Sequence, residues 1–164
     1  MSADSSAKNS PPTVQESPLP VQHDPVKPKD DRPSASGVAL PTDKELVMKV
    51  IPMPADCNAN GDIFGGWVMA QVDLAGSVLP ARYANGRMAT VAVNEFVFKQ
   101  AVRVGDILSF FSVVTRIGRT SITVKVEVFA ERYRLQGRYI KVTEASVTYV
   151  AIDDAGQPQP LQRD

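Results

Sequence analysis

Between Ile63 and Ala81 the sequence carries one charged residue, Asp73, set among Met69, Val72, Leu74 and Ala75. Burying an isolated carboxylate is costly unless it is paired, hydrogen-bonded or protonated. One reason to keep it there is chemistry, since a carboxylate can attack an electrophilic carbon or take a proton from water. The other is structural, a carboxylate that hydrogen-bonds a neighbouring strand's backbone or meets an arginine. A second group precedes it, Gly61-Asp62-Ile63-Phe64-Gly65-Gly66. Glycines let a substrate approach the backbone closely, and free N–H groups at a helix start favour developing negative charge. Together they make an oxyanion site, although a Gly-Gly pair in this position also serves simply as a tight strand-to-helix turn.

The residues that are missing narrow the chemistry. The single histidine, His23, lies in a segment with no folding pattern, so a Ser-His-Asp or Cys-His nucleophile and a His-rich zinc site are excluded from the folded part. Cys57 is the only cysteine, which excludes an intrachain disulfide and a thiolate metal cluster within one chain. With no histidine to generate its thiolate, Cys57 is not expected to be a nucleophile. A lone cysteine, the lack of an apolar leader and the lack of a bilayer-spanning run lead to the expectation of a soluble, cytoplasmic protein without membrane contact. The charge cancels at 18 basic and 18 acidic side chains, and the basic residues are scattered instead of forming a stripe, so no nucleic-acid partner is expected.

The elements that must position these groups follow from pattern. Residues 1–43 hold eight of the 13 prolines and no aromatic residue, too little apolar surface to offset ordering entropy, and are expected to be a disordered tail. Glu45 to Ile51 reads as a strand, stopped by Pro52-Met53-Pro54. The loop from Asp56 to Asp62 is dense in turn and cap residues. Gly65 to about Tyr83 reads as a helix closed by Asn85-Gly86, and because Trp67, Val68, Met69, Val72, Leu74, Ala75, Val78 and Leu79 occupy nearly every direction around its axis, it is expected to be buried all round. Strands are expected at about Met88–Phe98, Asp106–Arg116, Thr120–Tyr133 and Arg138–Ile152. In the third of these, Ile122, Val124, Val126 and Val128 alternate with Thr123, Lys125 and Glu127, implying one buried and one wet face. Short turns at Ile117-Gly118-Arg119 and Gln136-Gly137 imply an antiparallel meander. The fold class is therefore α+β, an antiparallel sheet of five strands wrapped around one long buried helix, the hotdog arrangement, over residues 44–155, with 156–164 as a flexible C-terminus.

Spacing ties the two chemical groups to different subunits. Asp73 lies seven residues after Gly66, on the order of 10 Å along a helix axis. One helix does not easily bring both to one carbonyl, whereas a second subunit's glycine turn facing Asp73 would.

The run from Met53 to Asp73, with Asn58-Ala59-Asn60-Gly61-Asp62-Ile63-Phe64-Gly65-Gly66-Trp67 at its centre, resembles the signature of the YciA-like acyl-CoA thioesterases. Support continues through Gly86-Arg87, Val91 to Glu95, Val104-Gly105-Asp106, Gly118-Arg119-Thr120-Ser121 and Val126-Glu127-Val128, so the resemblance covers roughly residues 44–155. It implies hydrolysis of acyl-CoA to coenzyme A and a free acid by homodimers that assemble into hexamers as trimers of dimers, with no metal or cofactor. It further implies that Asp73 acts on the thioester, as nucleophile or by activating water, that Asn58 lies near it across the interface, and that the amides at Gly65 and Gly66 stabilise the oxyanion. Coenzyme A carries phosphates, so some of Arg87, Arg116, Arg119, Lys125 and Arg138 should meet them, with Arg119 first because Thr120 and Ser121 flank it. Two residues depart from the family pattern: Cys57 stands in place of a threonine, and Pro80 falls where helix formers are usual, which puts the helix's length in question. Competing readings are a non-catalytic acyl-CoA binding or sensor module and another hotdog acyl-thioester enzyme; the hydratases and dehydratases among the latter depend on a histidine that the folded part lacks.

Overall fold

The computed structural model describes residues 37–84, 86–133, 135 and 137–161. Of the disordered tail expected over residues 1–43, residues 1–36 lie outside the described residues, whereas residues 37–43 are described and Val38 is hydrogen-bonded to β5. Five strands and one principal helix follow in the order β1 (Glu45–Val50), α1 (Gly65–Ser77), β2 (Arg87–Phe98), β3 (Ile107–Ile117), β4 (Ser121–Glu131) and β5 (Tyr139–Ile152). All strand pairings are antiparallel and the sheet order is β1-β3-β4-β5-β2, the hotdog arrangement expected from the pattern.

The meander holds for β3, β4 and β5, but β2 does not lie beside β3. It pairs with β5, in the register Thr90 opposite Tyr149 and Phe98 opposite Thr143, and forms the far edge. The link through residues 99–106 therefore passes across three strand positions, on the order of 14 Å at the usual strand spacing.

The helix also ends earlier than its apolar run suggested. Regular α1 stops at Ser77, and a short 3-10 turn follows at Pro80–Arg82. Pro80 has no N–H to continue the ladder, so the turn tightens ahead of it and Val78 donates to Ala75 instead.

Burial corrects the expectation of a helix enclosed on all sides. Val68, Val72, Ala75 and Gly76 face the sheet, where Ile122, Val124, Val126, Val128 and Val147 are fully buried beneath them. Met69 and Leu74 on the other side remain 44% and 57% exposed. One sheet covers one side of a cylinder, and the second apolar side of α1 has no cover among the described residues.

The opposite face of the sheet is not simply wet either. Glu127 is buried there, accepting Lys141 Nζ at 2.6 Å and paired with Lys44 Nζ at 3.1 Å. Phe111 and Phe129 also bury on β3 and β4, stacked edge to face with centroids 5.7 Å apart. The reason is the chain ahead of β1. Val38 N donates to Tyr139 O at the start of β5, and Glu45 opens β1 beyond β3, so residues 38–45 pass over β4 and β3. At the other terminus, residues expected as a flexible end are tied to the domain: Gln159 N donates to Ala151 O, Leu161 N to Arg119 O, and the Leu161 side chain joins the core.

Candidate functional site

Asp73 sits on α1 where the helix crosses β5 and β2, half-buried. Thr90 Oγ1 donates to its Oδ1 at 2.7 Å. The Tyr149 hydroxyl stands 2.7 Å from the Asp73 carbonyl oxygen and 3.2 Å from Oδ1. Thr90 and Tyr149 face each other across β2 and β5, which brings both hydroxyls to one point on the helix. Both contacts to the carboxylate converge on Oδ1, and among the described residues Oδ2 receives no donor. No arginine or lysine is paired with Asp73 among the described residues. Its partners are neutral, which distinguishes it from a structural ion pair.

Tyr149 is 2% exposed. Burial pushes its phenol well above the usual range, and the neighbouring Asp73 charge pushes the same way, so the hydroxyl keeps its proton and stays a donor. Gly76 makes room for it, since a Cβ at that position would lie 2.5 Å from the phenolic oxygen. Sequence reasoning missed Thr90, Tyr149 and Gly76. The first two are ordinary strand residues, 17 and 76 positions from Asp73, and only the sheet order makes them neighbours.

Asn58 and the glycine turn are built by a local hairpin. Asn58 N donates to Asp62 O, Gly61 N to Asn58 O, and Phe64 N to Asp56 O, while Cys57 and Ile63 form a bridge. Gly61 takes a left-handed conformation, φ 83°, that closes this turn and that few other residues adopt readily. Asn58 Oδ1 is held by the amides of Asn60 at 2.8 Å and Asp62 at 3.3 Å, fixing the side chain. Cys57 Sγ lies 3.7 Å from Gly61 O and is a part of the turn. α1 begins at Gly65 with no side-chain cap, so its first amides are open to a ligand. Asn58, Gly65, Val68, Phe98 and Gln100 line a cavity of about 340 Å³ with mixed polar and apolar walls. Gly66 is exposed beside it.

Asp73 does not line this cavity. It lies eight residues along from Gly65, about 12 Å by the helix rise. Within one chain, then, Asn58, Gly65 and Gly66 come together and Asp73 stands apart, as the spacing predicted.

The residues proposed to meet phosphate divide by position. Gly118 N donates to Ser121 O, and the carbonyls of Arg119 and Thr120 accept from Leu161 and Ala151, so the turn carrying Arg119, Thr120 and Ser121 is pinned from both sides. Arg119 is exposed. Ser121 pairs with Val150 and Arg87 with Ile152, which places Arg87 at the same end of the sheet. Arg138 precedes β5 at the opposite end, about 40 Å away along an extended strand. Lys125 is engaged by Glu127 and Glu144 on the face away from the helix. Neither belongs with Arg119. Among the described residues no group of three or more His, Cys, Asp or Glu side chains could hold a metal ion, and no helix is long and apolar enough to cross a membrane.

The thioesterase superfamily profile matches residues 60–136 of this chain. The acyl-CoA thioester hydrolase YciA of Salmonella typhimurium is 44% identical over 119 residues, covering 71% of this chain and 90% of the relative. A hexameric thioesterase of Yersinia pestis superposes with a TM-score of 0.70 at 42% identity, over 76% of this chain and 100% of that one. A hexameric hotdog-fold thioesterase of Campylobacter jejuni superposes with a TM-score of 0.68 at 42% identity, over 72% of this chain and 90% of that one. Identity at this level over nearly the whole length of the relatives carries more than the fold, and the chain belongs to the YciA-like acyl-CoA thioester hydrolases of the thioesterase superfamily.

Proposed function

We propose that the protein hydrolyses acyl-CoA thioesters at a site shared between two subunits, with Asp73 of one acting opposite Asn58, Gly65 and Gly66 of the partner subunit. The observation that carries this reading is the separation just described: a carboxylate held by neutral hydroxyls, and an open helix start about 12 Å away on the same helix. In hydrolysis the thioester carbonyl oxygen gains negative charge as the carbonyl carbon is attacked, by the Asp73 carboxylate or by water that it deprotonates. When water attacks, Asp73 takes its proton, the C–S bond breaks and the proton passes to the coenzyme A thiolate, leaving the free acid. When the carboxylate attacks, the C–S bond breaks to give a mixed anhydride with Asp73, and water then hydrolyses it, supplying the hydroxyl of the acid and the proton of the thiol and regenerating Asp73. Amides at a helix start meet that oxygen with fixed dipoles, which is the stabilisation the step requires.

The surface supports pairing with a second copy. β2 is an edge strand of 12 residues whose outer side has no pairing strand among the described residues, and Val91, Val93, Val97 and Phe98 on it are exposed, as are Phe64 ahead of α1 and Met69 and Leu74 along it. A long apolar edge strand beside an uncovered apolar helix face needs a partner to leave water. The hexameric assembly of the relatives supports a trimer of such dimers. Arg119, with Thr120, Ser121 and Arg87 at the same end of the sheet, would receive the phosphates of coenzyme A. Residues 44–155 form the catalytic domain in this reading, and the lone, reduced cysteine fits a cytoplasmic protein.

The test is release of coenzyme A from a panel of acyl-CoAs of different chain length by wild type and by Asp73→Asn, with sedimentation run at the assay concentration. Turnover by the wild type, its loss in the variant and an assembly no smaller than a dimer are expected. No release from any chain length overturns the activity. Full activity of Asp73→Asn overturns the role of the carboxylate, and an active monomer overturns the shared site.

A further inference from the structure

The reading of Asp73 leaves open what holds its carboxylate in one orientation on an otherwise apolar helix. No cation does so among the described residues, and a carboxylate with free rotation about its terminal bond would present either oxygen. Thr90 reaches only the side chain. Tyr149 touches both the main-chain carbonyl of Asp73 and its Oδ1, so it locates the side chain relative to its own backbone. Its ring is fixed in turn, fully buried on β5 between the helix and the sheet, with the hydroxyl seated in the space left by Gly76. A donor so enclosed is preorganised: the ring is locked, and both acceptors in reach of its one proton belong to Asp73, the carbonyl oxygen at 2.7 Å and Oδ1 at 3.2 Å.

We propose that Tyr149 is a positioning residue for the reaction: its hydroxyl, seated against Gly76, orients the Asp73 carboxylate so that Oδ1 is occupied and Oδ2 faces the thioester. The proposal rests on the catalytic reading of Asp73. It gives Gly76 a role as well, because any side chain there would displace the hydroxyl from the helix. Tyr149 touches neither acyl chain nor coenzyme A in this scheme, so its loss changes the rate of the chemical step and leaves substrate affinity intact.

The experiment measures kcat and KM for release of coenzyme A by the full-length protein carrying Tyr149→Phe, alone and combined with Gly76→Ala. The combined variant refills with a methyl group the space the hydroxyl vacates, restoring packing without restoring the donor. Both variants are expected to lose about 10- to 100-fold in kcat, the effect of one hydrogen bond to a charged group, with KM unchanged within about twofold. Unchanged kcat in Tyr149→Phe overturns the proposal, as does recovery of wild-type kcat in the combined variant, which would assign the loss to packing. Should Tyr149→Phe melt below the assay temperature, the combined variant carries the same test. Asp73→Asn run in parallel separates the two ideas: if it keeps full activity, the catalytic reading fails first, whereas an inactive Asp73→Asn beside a fully active Tyr149→Phe defeats only the role of the tyrosine.

Discussion

Asp73 on α1, half-buried, and Asp106 at the corner before β3, buried, are carboxylates held in opposite ways. Asp106 is 1% exposed and its Oδ2 accepts from Arg132 Nη1 at 2.6 Å and from the amide of Arg103 at 2.9 Å. Arg132 also donates to Ala101 O, so the pair staples the end of β4 to the link between β2 and β3. Burial pushes the Asp106 carboxyl above its ordinary range, and the amide and the guanidinium draw it back only in part. Asp73 is half-buried, with two hydroxyls and no cation beside it among the described residues. A full charge beside a carboxylate stabilises its ground state and blunts it as a reactant. Neutral donors orient it and leave it able to act.

That contrast is broken most directly by Asp73→Asn. The substitution keeps the shape and should lower kcat by about 10²- to 10⁴-fold, the range for a positioned carboxylate, while thermal unfolding shifts by a few degrees at most. Asp106→Ala should do the reverse. Leaving Arg132 buried without its partner costs about 3–5 kcal/mol, read as a lower midpoint in denaturant, with the activity per folded molecule retained. Were Asp106→Ala to abolish turnover in fully folded protein, the division between structural and reactive acid would fall.

Gly76→Ala sharpens the Asp73 side of the comparison. The added Cβ meets the Tyr149 oxygen at 2.5 Å, an overpacking cost of about 1–3 kcal/mol set against about 1 kcal/mol gained in helix propensity. In the Tyr149→Phe background the closest obstacle is gone and Val126 Cγ2 at 3.3 Å remains, so the same change should be less destabilising in paired denaturant titrations. The smallest effect is expected from a third acid, Glu144, on the other face of the sheet. Hydrogen bonds from Lys141 and Lys99 hold its carboxyl at about 2, below the ordinary value of 4.5. A depressed carboxylate contributes stability that is present above its unfolded value and lost as pH falls through the folded one, so this contribution fades between about pH 4.5 and pH 2. Glu144→Gln should flatten stability against pH in that window by under about 1 kcal/mol, with no change in kcat.

Much of this was legible in the residues. Strand positions followed from alternation, as in Ile122 to Val128, because a period of two can be satisfied only on a pleated surface with one buried face. Asp73 was legible because a lone charge in an apolar run has few explanations. The end of α1 was legible only in part: Pro80 signalled it, but an apolar run continuing to Leu79 masked a stop at Ser77. The burial of Glu127 was hidden because alternation marks it as a solvent position, and its partners Lys44 and Lys141 come from the chain before β1 and from β5.

By itself the sequence determined the element types, the one carboxylate in the apolar helix, the absence of any histidine after His23, and the separation of Asp73 from the glycine turn. These are local properties, set by period, spacing and composition within one segment. Tertiary structure alone decided that β2 pairs with β5, and through that pairing that Thr90 and Tyr149 meet over Asp73. It also decided that one side of α1 stays uncovered among the described residues. Contacts between residues 17 and 76 positions apart depend on the order in which strands are laid down, and no local pattern encodes that order.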